Sequence, residues 1–188
     1  MVNIMRRCGL YLLSMSMVAV GAITSLPARD AVDYRQMRNE IQIFETILRT
    51  AMKNEFSHPL ALVNEPRGTY LPGYGVSFTF LLNINRDEVD TPFGIKRFNG
   101  PSRSRAEKMR TVREAIVKIL GDFGNSITQL SSEESLAVAA HLEDRTTLVP
   151  AERDEVMVFR VSRRVLSDYS ARRIDPKQFR DRVEMIEY

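Results

Sequence analysis

Between residues 30 and about 53, Met37, Ile41, Phe44, Leu48 and Met52 recur at spacings of four, three, four and four, with Arg35, Arg38, Glu40, Glu45 and Arg49 between them. That period predicts a long amphipathic helix. Its stripe is heptad-like but too short to argue a coiled coil, so packing on its own domain is expected. His58-Pro59 should end it, because the residue before proline is pushed out of the helical region. After a loop rich in Asn, Pro and Gly, the apolar Val76, Phe78, Phe80, Leu82 and Ile84 alternate with Ser77, Thr79, Leu81 and Asn83, which predicts a strand with one apolar face. Residues 85–102, with two prolines and two glycines, read as an exposed connection. Ser104 and Glu107 have the spacing of a capping box, and Met109, Val112, Ile116, Ile119, Leu120 and Phe123 then mark a second amphipathic helix that ends near Gly121 or Gly124.

The stretch from residue 134 to 142 carries two signals. Leu136, Val138, Ala140 and Leu142 alternate as in a strand, whereas the alanines and the pair Ser131 and Glu134 suit a helix. A strand is preferred because it completes a parallel βαβ crossover with the first strand. Residues 155–161 give a clearer strand, and the turn-forming residues 144–153 let it return antiparallel. Two short helices follow. Ser162 caps the first, which carries Val165, Leu166 and Tyr169; Asp175-Pro176 opens the second, with Phe179, Val183 and Ile186 on its buried side. The expected order is α-β-α-β-β-α-α, an α+β fold with a small mixed sheet packed by helices and no internal repeat.

The first 28 residues fall outside that domain. Arg6 and Arg7 precede an uncharged apolar run from residue 9 to 24, the layout of a secretory signal peptide. Small residues place cleavage between residues 22 and 28, leaving a single domain over 29–188. The run is shorter than the roughly 20 residues that span a bilayer core, so cleavage is expected in preference to a retained anchor. The 188-residue chain has 27 basic and 24 acidic residues, a formal net charge of +3. Cleavage removes two basic residues and no acidic one, leaving 25 against 24, or +1. A nearly neutral chain has little long-range attraction for phosphate, so nucleic acid is not an expected partner. The single cysteine, Cys8, leaves with the signal, so the mature chain has no disulfide or thiol chemistry.

Candidate chemistry is sparse. Tyr70-Leu71-Pro72-Gly73-Tyr74-Gly75-Val76 pairs two glycines with two tyrosines, and Tyr70, Gly73, Tyr74 and Gly75 are the candidate ligand-binding residues. Phosphate cradles place their glycines between a strand and a helix, whereas these lead into a strand, so a turn or bulge is the competing reading. The segment resembles a Tyr-Leu-x-Gly-Tyr-Gly-Val-x-Phe signature of uncharacterised exported bacterial proteins. The resemblance implies a bacterial envelope setting and carries no activity or functional residue with it.

His58 and His141 lack a second histidine at ligating distance along the chain, so no metal and no cofactor are expected. A Ser-His-Asp triad would lack any elbow motif around its serine. Asp87, Glu88 and Asp90, and Glu133 with Glu134, read as solvated charge before they read as acid and base. The basic residues Arg103, Arg105, Lys108 and Arg110, with Arg113, open the second helix against its macrodipole. They are the candidate contact for an anionic partner, an envelope protein or an anionic lipid surface, against the simpler reading of a solvated face partnered by Glu107 and Glu114.

Together these features lead to the expectation of an exported protein, periplasmic or extracellular, that binds another macromolecule without catalysis. The alternative is a small hydrolase or ligand-binding enzyme with its pocket at residues 70–75.

Overall fold

In this computed structural model, residues 32–55, 62–84, 88–91, 94–97, 104–143 and 155–188 are described, with backbone alone for 88–91 and 94–97. The leader with its cleavage site, His58-Pro59, Arg103 and the turn at 144–153 lie outside them.

All five residues of the first stripe are buried along α1 (Tyr34–Glu55). Asp33 opens that helix, its carboxylate accepting the N–H groups of Arg35 at 2.9 Å and Gln36 at 3.1 Å. The alternating segment forms β2 (Gly75–Asn83), and its Phe78 ring meets Phe44 of α1 with centroids 4.8 Å apart. In the sheet β2 runs parallel to β5 (Ser135–Glu143), and β5 runs antiparallel to β6 (Glu155–Ser162). The long connection between β2 and β5 contains α2 (Arg105–Phe123), so the expected βαβ crossover is present. The register stacks Val76, Phe78, Phe80 and Leu82 beside Leu136, Val138, Ala140 and Leu142, and these beside Met157, Phe159 and Val161. All are buried in one core with α1 and with Val112, Ile116, Ile119 and Leu120 of α2.

The capping box of α2 is formed as its sequence predicts. The Ser104 hydroxyl accepts from the Glu107 N–H at 3.3 Å and the Glu107 carboxylate accepts from the Ser104 N–H at 2.8 Å. Ser104→Ala is expected to cost about 1 kcal/mol, read as a lower urea midpoint with an unchanged slope.

Four strands add to the seven predicted elements. β1 (Leu62–Leu71) pairs antiparallel with β2 where the sequence suggests a loop through about residue 67. Pro66 sits inside the second of two register irregularities of this edge strand, between Asn64 and Arg67, a position where its missing N–H is tolerated. β3 (Glu88–Thr91) and β4 (Gly94–Arg97) form a separate antiparallel pair inside the expected connection. The C-terminus departs most from its periodicity. α3 (Arg163–Ser170) and α4 (Pro176–Arg182) carry the predicted caps, but α4 stops at Arg182 and the chain returns as β7 (Glu184–Glu187) on the outer edge of β6. Ile186, expected on a buried helix face, is 58% exposed on that strand. Pairing with the free edge of β6 supplies backbone hydrogen bonds that outweigh a weak three-residue helical period. The sheet order is β1-β2-β5-β6-β7.

Candidate functional site

Pro72, Gly73 and Tyr74 turn β1 into β2, with the Tyr74 N–H donating to the Leu71 carbonyl at 3.0 Å. Gly73 and Gly75 both have positive φ, +85° and +122°. A side chain at Gly73 would meet open space, whereas a Cβ at Gly75 would stand 1.9 Å from the Ser135 carbonyl oxygen. The second glycine therefore lets β2 and β5 begin side by side.

The turn is held from below by Glu134, which is 1% exposed. Its Oε1 accepts the Tyr70 hydroxyl at 2.9 Å and the Gly73 N–H at 3.0 Å, and its Oε2 accepts the Ser131 N–H at 2.9 Å. Ser131 and Glu134, which have the spacing of a capping box, thus form a turn outside any helix. The carboxylate collects donors from two loops at one end of the sheet. Tyr74 presents its ring to the Arg160 guanidinium at 5.5 Å, and Arg160 in turn donates to the Ser135 hydroxyl at 3.2 Å. A cavity of about 400 Å³ between α1 and β1 borders Tyr70, with Tyr34 and Arg38 on its walls, and does not include Gly73, Tyr74 or Gly75.

The basic start of α2 is divided among different tasks. Arg105 forms an ion pair with Glu155 at the start of β6, at 3.0 Å. Lys108 is 8% exposed, on the buried side of the helix. Arg113 binds the Glu187 carboxylate and donates to the Met185 sulfur at 3.1 Å, tying α2 to β7. Arg110 projects outward, opposite Glu114 at 3.9 Å, an exposed pair of little energetic weight.

Arg110 and Arg113 also stand on the rim of a groove of about 660 Å³ between α2 and the α4–β7 segment. Its floor and walls include Val117, Phe159, Phe179, Val183 and Met185. Gly121 narrows one end, since a Cβ there would come within 2.9 Å of the Tyr169 ring, which stacks on Phe179 with centroids 4.4 Å apart. Arg110, Arg113, Lys118 and Arg180 outnumber Glu114 and Asp122 around it. Lys118 is held above its ordinary pKa by its hydrogen bond to Asp122, at 2.7 Å, and by that carboxylate's charge. Arg180 makes no ion pair with a described residue. The volume, with apolar side chains on the floor and charged ones around it, lies in the range of a binding cleft.

The sequence offered no local signal for this groove beyond Arg110 and Arg113. It is assembled from β6, three helices and a strand that the periodicity does not show. His141 lies exposed on the sheet face opposite the core. Among the described residues no three His, Cys, Asp or Glu side chains gather as a metal site. No described helix is long and apolar enough to cross a membrane. Comparison with protein-family models, curated proteins and solved structures returns no match for the chain.

Proposed function

We propose that the chain is an exported bacterial envelope protein whose folded domain binds another macromolecule, without catalysing a reaction, through the groove between α2 and the α4–β7 segment. The groove carries this reading: it combines an apolar floor with a basic rim, and Arg180 on that rim has no ion-pair partner among the described residues. The leader's charge and apolar run support export, and its processed product should begin between residues 23 and 29, which the intact mass of the purified chain measures. The hydrolase alternative draws no comparable support, because Tyr70, Gly73, Tyr74 and Gly75 are engaged in forming and clamping a turn.

The test is co-purification of the tagged full chain from its native host at moderate salt. Val117→Trp fills the groove and Arg180→Glu reverses its rim. Each is expected to reduce the retained partner about tenfold, equivalent to about 1.4 kcal/mol, while the fold melts cooperatively. Retention unchanged in both variants would place the contact elsewhere, and a chain that always purifies alone would count against the binding function.

A further inference from the structure

The two edges of the sheet are managed differently. At β1, Pro66 and two register irregularities interrupt the edge, and the Gly68 N–H donates to the Glu45 carboxylate of α1 at 2.8 Å. Such devices keep a free strand from recruiting another. At β7 the register with β6 is continuous, and all four residues are exposed. The Val156 N–H donates to the Tyr188 carbonyl at 2.8 Å and the Tyr188 N–H to the Val156 carbonyl at 3.2 Å. Antiparallel pairs alternate, so Ile186 faces Val158 and Glu184 faces Arg160 in the same hydrogen-bonding manner. The N–H and C=O groups of Met185 and Glu187 therefore point away from β6, toward an edge that no described strand covers.

The side chains of those same two residues lie on the helix-facing side, opposite Phe159 and Met157, where Arg113 fastens both to α2. Met185 also lines the groove. A strand added to β7 would thus set alternate side chains at the mouth of the groove. Glu184 and Glu187 are each matched by an arginine of their own chain, Arg160 at 3.6 Å and Arg113, whereas Arg180 on the neighbouring helix has no such match among the described residues.

From this geometry we propose that β7 receives an extended segment of a partner protein, with alternating aliphatic residues and at least one carboxylate, as a sixth strand. Its backbone pairs with Met185 and Glu187, its aliphatic side chains enter the groove, and its carboxylate meets Arg180. The proposal rests on the groove being the contact surface.

The experiment selects binders to the processed full chain from a library of random twelve-residue peptides and measures their affinities for variants. Met185→Pro removes an outward N–H that the β6–β7 ladder does not use; Met185→Ala controls for the side chain. Selected peptides are expected to alternate aliphatic and polar residues with an acidic one. They should lose about tenfold in affinity to Met185→Pro and to Arg180→Glu, and less than about twofold to Met185→Ala beyond its effect on stability. If Met185→Pro does not fold, methylation of alternate peptide amides applies the same test to the unaltered protein, and one alternate set should abolish binding. Equal affinity for Met185→Pro, or tolerance of both methylation sets, overturns strand addition. If such peptides still lose affinity to Val117→Trp, the groove reading survives; if they do not, both fall. Failure to select any peptide, capture of vesicles containing anionic lipid in its place, or self-association blocking the edge would each overturn the proposal.

Discussion

Gly75→Ala is expected to destabilise the protein by about 4 kcal/mol, combining backbone strain with overpacking. Both causes are visible in the geometry. The added Cβ would stand 1.9 Å from the Ser135 carbonyl oxygen and 2.7 Å from its nitrogen, and the residue's φ of +122° is one that side chains rarely adopt. Ser135 cannot step aside freely, because its N–H donates to the Tyr74 carbonyl at 2.8 Å and its backbone is paired with Gly75 and Ser162 on both sides. Gly73→Ala, two residues earlier, is the internal control: its φ of +85° is also positive, but nothing lies within 4 Å of the new methyl group. It should cost only about 1 kcal/mol. Equilibrium urea unfolding of the folded domain measures both. A loss below about 1 kcal/mol for Gly75→Ala would mean that β2 and β5 do not start in contact, and would reopen the turn as a site whose glycines serve a ligand.

The elements legible in the sequence are those whose signal is local. Met37, Ile41, Phe44, Leu48 and Met52 need only their spacing to reveal α1, and Ser104 with Glu107 need only each other to mark the start of α2. β1 and β7 are different because both are edge strands, defined by the neighbour that accepts their backbone. In β1, Pro66 and the irregular register erase the alternation that would have shown it. In β7, four residues are too few for a period of two to compete with the apparent helical spacing of Phe179, Val183 and Ile186.

The same limit governs the functional surface. Arg105, Lys108, Arg110 and Arg113 look like one basic patch along the chain, yet a helix turns about 100° per residue, and the four side chains end up against Glu155, on the buried side, in solvent and against β7. What survives of the patch is the part that borders the groove. Its other wall comes from Phe179, Arg180 and Met185, some 70 residues along the chain, as the numbering shows. The packing of α3 and α4 beside α2 and the pairing of β7 with β6 bring that wall to α2, and no spacing within either segment encodes the meeting.

Replacing Glu134 by alanine should destabilise the domain by about 3 kcal/mol, because it strands donors that now share one buried carboxylate. The Tyr70 hydroxyl and the Gly73 and Ser131 N–H groups all point at it, from the end of β1, the β1–β2 turn and the turn before β5. The full sum of three charge-assisted bonds is not expected, since Gly73 is exposed and its N–H can turn to water. Glu134→Gln keeps the volume and one acceptor oxygen but directs an NH₂ group at the remaining donors, so about half the loss should persist. Tyr70→Phe alone should cost about 1 kcal/mol, and much less in the Glu134→Ala background, a coupling that a double-mutant cycle reads directly. This cycle separates the two uses a sequence of tyrosines and glycines beside a glutamate can have. A catalytic or ligand-binding carboxylate would be expected to show weak coupling to its own chain, leaving it available to a substrate. Strong coupling between Tyr70 and Glu134, with partner binding unchanged in a Tyr70→Phe protein that still folds, would make the carboxylate the anchor of the β1–β2 turn and leave recognition to the groove beside β7.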